Sequence, residues 1–343
     1  MASLTDDPNC GMGNVVDTHL SLRVASIFVI GFFSTAGTLF PVLARSSNRL
    51  KVPDSVFQFS KYFGSGVIIA TAFIHLLAPA IEAFESTCLS ASWHSYPWAL
   101  GLCLLSIFAI FVSELLAFRW GNAKLAQMGE MHDPRKNGHA SPQCGYGATG
   151  TSAPIKPPTD PECASDSSCA SREATEVRGG SAAAKIVGIA ILEFGVLLHS
   201  ILVGMTLAVD KEFKVLFVVL LFHQTFEGLG LGARLAYLDL PRQYAHMAIM
   251  AALVFGLSTS LGIAAGLGVK TTYNPGSATA SIVSGVMDSI SAGILIYTGL
   301  VELLAHEFLF NEEMMNASNG KLVFAVSSMF LGCALMALLG KWA

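Results

Sequence analysis

Charged side chains are scarce in this chain. Asp, Glu, Lys and Arg make up 13% of its 343 residues, against about 25% in an ordinary soluble domain. Apolar residues make up 53% and the mean hydropathy is +0.58, so a soluble globular fold is excluded. The net charge of −4 gives no basic surface for nucleic acid. No Gly-x4-Gly-Lys-Ser/Thr loop occurs, so there is no phosphate cradle for an ATP-driven pump. His-Glu-x-x-His is absent too: His306-Glu307 is followed by Phe308-Leu309-Phe310. An intramembrane metalloprotease would need the second histidine, and the chain is not read as an enzyme. A basic leader is missing, since Asp6 and Asp7 stand near the start and no apolar run begins before about Leu20. The first apolar block is therefore expected to act as its own insertion signal and to stay in the protein.

The seven cysteines include no Cys-x-x-Cys pair. Cys103 and Cys333 lie in apolar runs, and Cys144, Cys163 and Cys169 in a polar stretch, where their wide spacing favours incidental cysteines over a metal site, the alternative. Cys10 and Cys88 have a disulfide open to them outside the membrane, with two free thiols as the alternative.

What the chain does have is long apolar blocks: Leu20–Ala44, Tyr62–Ile81, Tyr96–Phe118, Ala182–Val209, Val215–Tyr237, Tyr244–Val269, Ser281–Leu304 and Leu322–Leu339. Each is near the ~20 residues that cross a hydrocarbon core. They predict an all-α polytopic membrane protein of eight transmembrane helices in a 3+5 arrangement. Gly228 and Gly232 inside the fifth allow close helix approach. Residues 1–19 read as a short extracellular N-terminus, 20–120 as helices one to three and 182–343 as helices four to eight. Residues 121–181 are rich in Ser, Gly, Pro and Ala and cannot bury enough surface to offset their ordering entropy. They are expected to form a disordered cytoplasmic loop, with His132 and His139 as its only histidines.

Lys and Arg placement sets the orientation. Arg45, Arg49, Lys51 and Lys61 follow span one, and Arg234 and Arg242 follow span five. The link after span two holds Glu82, Glu85 and His94 and no basic residue. Both termini are then outside. The acidic Glu312 and Glu313 and the sequon Asn316-Ala317-Ser318 fall on the inner side and run against this assignment.

Ionisable groups inside the spans carry the chemistry, because each costs at least ~2.5 kcal/mol at mid-bilayer on insertion scales. His223 and Glu227 are four apart and share one face of span five. Imidazole with carboxylate suits Zn²⁺ and Fe²⁺ alike. His199 on span four would supply a third ligand if the two helices pack together, with Ser200 and Gln224 beside it as weak ligands or supporting donors. A structural His–Glu hydrogen-bonded pair is the alternative. A permeating cation needs a series of moderate sites. His75 and Asp288, toward the outer halves of spans two and seven, read as an entrance. Glu302, His306 and Glu307 at the inner end of span seven read as an exit, Glu302 and His306 being four apart; for each of these five residues taken singly, an interfacial or helix-packing role is the alternative. Glu114 and Glu193 are further intramembrane carboxylates without an assigned role.

At His199-Ser200 with Gly204, and at His223-Gln224-Thr225-Phe226-Glu227-Gly228, the sequence resembles the ZIP (Zrt/Irt-like) divalent metal transporter family. The stretch from Phe222 to Leu235, and that from Tyr273 through Phe308 to the C-terminus, are similar to its fungal zinc-permease branch. The resemblance spans all eight blocks. It implies zinc as transported substrate rather than cofactor, alternating access, a plasma-membrane location and frequently a homodimer. It also implies transport-site roles for His199, Ser200, His223, Gln224 and Glu227, with His75 near the entrance and His306 and Glu307 near the exit. Some members carry a glutamate four residues after the span-four histidine; here Val203 stands there, which argues for one main metal rather than two. A metal-sensing membrane receptor without flux is the competing reading, weakened by the lack of a soluble ligand-binding domain.

Overall fold

The computed structural model describes Cys10 and residues 19–46, 52–131, 190–210, 212–237, 245–269 and 277–342. Arg49, Lys51, His132, His139, Cys144, Cys163, Cys169 and Arg242 lie outside the described residues, as does most of the 121–181 segment. The described residues contain eight helices long and apolar enough to cross a membrane. They are α1 (Leu20–Ser46), α2 (Asp54–Phe84), α3 (Trp98–Met131), α4 (Ala190–Val209), α5 (Phe213–Ala236), α6 (Ala245–Gly268), α7 (Ala278–Leu309) and α8 (Asn319–Leu339).

Several helices outrun their apolar cores. α2 starts at Asp54, α7 runs to Leu309 and α3 continues to Met131, past the boundary at 120 that composition suggested. Apolar content marks what sits in lipid, whereas backbone hydrogen bonding continues into polar sequence wherever no Pro or Gly stops it. The start of α2 follows Pro53, and α7 and α8 begin on Ser277 and Ser318, whose hydroxyls accept from Ala280 N–H and Lys321 N–H. These serines satisfy amide groups that the first turn leaves unpaired.

α1 packs along α5 and α6, and α4 lies against α6, where Gly204 and Gly262 let the backbones touch. α2 packs along α7 and α8, and α3 on α7, with Ser106 donating to the Ile290 carbonyl at 3.0 Å. Among other places, the two groups meet where α2 crosses α5. There Gly64 and Gly230 face each other so closely that a Cβ on either would overlap the other's backbone. The shared core at this seam includes Ile68, Leu76, Leu192, Leu231, Phe255 and Leu295. Large apolar side chains such as Phe28, Phe32, Leu105 and Phe330 point outward, as lipid contact requires.

Two features tie the ends down. Arg23 of α1 is fully buried and donates to the carbonyls of Leu207 and Ala208 at 3.0 Å and of Asp210 at 2.7 Å. It thereby covers carbonyls that the end of α4 leaves without helical partners, and its guanidinium lies over the Phe213 ring. Cys10 and Cys88 form a disulfide with Cα atoms 5.5 Å apart, so the first of the two cysteine alternatives is the one realised. Cys103 and Cys333 are free thiols.

Both α2 and α7 change to π-helix partway, over Thr71–Leu77 and Thr298–Leu309. A π-turn inserts an extra residue and re-aims the side chains that follow, a device frequent at functional sites. These two segments carry His75, Glu302, His306 and Glu307.

Candidate metal site

α4 and α5 bring His199, His223 and Glu227 together. One ligand atom from each lies within 4.8 Å of the other two, and all three residues are at most 2% exposed. The rings of His199 and His223 are 5.4 Å apart between centroids. His223 Nε2 is 3.9 Å from Glu227 Oε1, too far for a hydrogen bond. The two side chains therefore do not hydrogen-bond each other directly.

The polar accounting points the same way. His199 Nδ1 and Nε2, His223 Nε2 and both oxygens of Glu227 are buried without a hydrogen-bond partner. Leaving one such group unpaired costs about 1–3 kcal/mol, and here they converge on one spot. The hydroxyl of Thr71 adjoins Glu227 and lies 3.0 Å from the Val67 carbonyl. A divalent cation with bonds of about 2.0–2.2 Å to N and O would partner one ligand atom from each of the three side chains. Tetrahedral ligation wants donor atoms about 3.3 Å apart, so the cluster needs only a small contraction.

Ser200 and Gln224, also read as ligands from the sequence, are fully buried beside the cluster but engaged with each other. Gln224 Nε2 donates to Ser200 Oγ at 3.3 Å and to Thr259 Oγ1, while Gln224 Oε1 accepts from His223 Nδ1 at 3.2 Å. Thr259, on α6, escaped the sequence reading because a lone hydroxyl in an apolar helix carries no signal.

His75 stands nearer than an entrance position suggests. Its ring centroid is 4.8 Å from that of His223, and its Nε2–H donates to the Met336 carbonyl at 2.9 Å. Nδ1 of His75 is thus left as its free lone pair. Asp288 lies apart, 7% exposed, and accepts from Ser284 Oγ at 3.0 Å.

At the other end of the bundle, Glu307 is paired with Lys61 of α2 at 2.5 Å. Arg234 of α5 adjoins it and donates to Ser65 Oγ at 2.9 Å. His306 is exposed, its ring against Phe310. Glu302 and His306 both lie near Glu114, and Glu302 and Glu307 both lie near Arg234. Glu114 accepts a hydrogen bond from the Tyr297 hydroxyl at 2.8 Å. Between α7 and α8, Glu313 is bonded at 2.6 Å by Lys321 from the first turn of α8, which holds its carboxyl below the ordinary glutamate value.

A polytopic membrane protein with a dehydrated His/His/Glu cluster inside its helices has the anatomy of a cation carrier. The family model described as ZIP Zinc transporter matches residues 20–340. The chain is 39% identical to Zinc-regulated transporter 1 of Saccharomyces cerevisiae, over 96% of this chain and 90% of that protein. It is 34% identical to Zinc-regulated transporter 2 of the same yeast, over 97% of both. A plant relative, Fe(2+) transport protein 1 of Arabidopsis thaliana, is 32% identical over 94% of this chain and 86% of its own length. The chain belongs to the ZIP zinc transporter family.

Proposed function

We propose that this ZIP transporter carries Zn²⁺ into the cytoplasm by alternating access, with His199, His223 and Glu227 as the ligands of the transported ion. The observation that carries the assignment is the convergence of unpartnered, fully buried donor atoms from two adjacent helices. Zinc is the substrate, not a resident cofactor. Two imidazoles and one carboxylate form a borderline-soft set that also accepts Fe²⁺ and Mn²⁺, and the named iron transporter among the relatives supports iron as a second substrate.

The ligands sit on α4 and α5, just across the α2–α5 seam from His75. Movement of the α1/α4/α5/α6 group against the α2/α3/α7/α8 group would carry the ion from one side of the bilayer to the other. His75 then hands the ion to His223 from outside, with Asp288 further out, and Glu302 and Glu307 receive it inside once Lys61 swings away. Both termini face outward, because a Cys10–Cys88 bond belongs to an oxidising compartment. An inside-negative potential contributes about 2.3 kcal/mol per charge per 100 mV, so inward flux of a divalent ion needs no ATP. The plasma membrane is the proposed location and a homodimer the proposed assembly, on the strength of the family branch alone.

The test is initial-rate zinc uptake into proteoliposomes by the full-length protein and by His199→Ala, His223→Ala and Glu227→Ala. Each variant is expected to reach the membrane and lose uptake. Normal uptake by all three would refute the ligand assignment.

A further inference from the structure

The site just described depends on which nitrogen of His223 carries the proton. Coordination through Nε2, the nitrogen facing Glu227, requires a lone pair there and the proton on Nδ1. Nδ1 meets Gln224 Oε1 at 3.2 Å, and a carbonyl oxygen can only accept. The tautomer therefore rests on which way the Gln224 amide is turned. With the amide reversed, its NH2 group would donate to Nδ1, the ring proton would move to Nε2, and the metal face would close.

The other end of the amide decides the orientation. Nε2 of Gln224 has two protons and meets two hydroxyl oxygens, Ser200 Oγ and Thr259 Oγ1. Thr259 is fully buried. An amide NH2 can only donate, so Thr259 Oγ1 accepts here; Thr38, Thr71 and Thr225 show that a threonine hydroxyl in these helices can send its own proton one turn back along the helix, which leaves its oxygen free for that role. Thr259 is also rigidly placed: its backbone carbonyl is packed against Gly204 of α4, so α6 cannot rotate it away without separating from α4.

We infer that Thr259 is a positioning residue of the transport site: through Gln224 it fixes His223 in the tautomer and ring orientation that present Nε2 to the metal. This gives α6, which supplies no ligand, a defined part in zinc affinity. It also recasts Gln224 as the link between Thr259 and His223 rather than a ligand. Partners that orient a ligating histidine in this way typically change metal affinity 10–100-fold when lost.

The inference rests on the ligand assignment proposed above, and the experiment separates the two. Zinc-dependent uptake is measured in proteoliposomes of the full-length protein, reading K0.5 and Vmax for wild type, Thr259→Ser, Thr259→Ala and His223→Ala. Ser and Ala are both smaller than Thr and differ only in the hydroxyl. Thr259→Ala is expected to raise K0.5 about tenfold or more with Vmax within about twofold, and Thr259→Ser to restore K0.5 to within about threefold of wild type. Equal K0.5 in the Ser and Ala variants, whether both normal or both impaired, would overturn the positioning role. If the alanine variant does not fold, the isosteric Thr259→Val takes its place with the same expected rise. Normal uptake by His223→Ala would overturn the ligand assignment itself; loss of uptake in His223→Ala with Ser and Ala alike would sink only the role of Thr259.

Discussion

The α2–α5 seam can be probed with a single methyl group. In Gly230→Ala the new Cβ would sit 2.7 Å from Gly64 Cα and 3.1 Å from its carbonyl oxygen. Relaxed carbon–carbon contact is about 3.5–4.0 Å, so the helices must part by roughly 1 Å. Overpacking of this kind costs about 1–3 kcal/mol, which corresponds to a fall in melting temperature of about 2–12 °C at 2–4 °C per kcal/mol. All three proposed ligands lie on α4 and α5, on one side of the seam, so zinc affinity should change by less than about threefold. Gly320→Ala serves as the control, since a Cβ there meets nothing within 4 Å. The assay is thermal unfolding of detergent-purified protein followed by size-exclusion chromatography, with zinc binding measured on the same samples. A Gly230→Ala protein as stable as the Gly320→Ala control would refute the packing argument. Lost zinc binding with intact stability would refute the placement of the ligands on one side.

Other perturbations read different parts of the account. Lys61→Glu places two carboxylates together where an ion pair at 2.5 Å stands; like charges 4 Å apart repel by about 4 kcal/mol at an effective dielectric near 20. Uptake should fall at least tenfold and recover in part in the swap Lys61→Glu/Glu307→Lys, and no recovery would show that the pair is not the relevant partner. For topology, a membrane-impermeant maleimide should label Cys10 and Cys88 in intact cells only after reduction, and failure to label after reduction would place that end inside. Unlabelled Fe²⁺ in hundredfold excess is expected to cut zinc uptake by more than half, because the ligand set discriminates poorly between the two. Absence of competition would mean that selectivity arises outside these three side chains.

What the sequence discloses and what it hides divide along physical lines. The eight spans were legible because apolar blocks of bilayer length are rare outside membrane-crossing helices. His223 with Glu227 was legible because two ionisable groups on one buried helix face need a common reason. That His199 joins them depends on α4 packing beside α5, which spacing along one chain cannot report. The closeness of His75 to His223 was hidden for the same reason: it depends on how α2 packs against α5, and the π-segment at Thr71–Leu77 that carries His75 has no marker in the sequence. The pairing of Glu307 with Lys61 likewise depends on how α7 packs against α2. Thr259 was invisible, being neither charged nor at a recognisable spacing; only its hydrogen bond to Gln224 exposes it.

The most direct measurement is zinc K-edge X-ray absorption on the full-length protein loaded with one equivalent of zinc. The account predicts nitrogen and oxygen neighbours at about 2.0–2.1 Å with outer-shell scattering from at least two imidazoles, lost in the His199→Ala/His223→Ala variant. Sulfur neighbours at about 2.3 Å, or an imidazole signal that survives the double substitution, would contradict it.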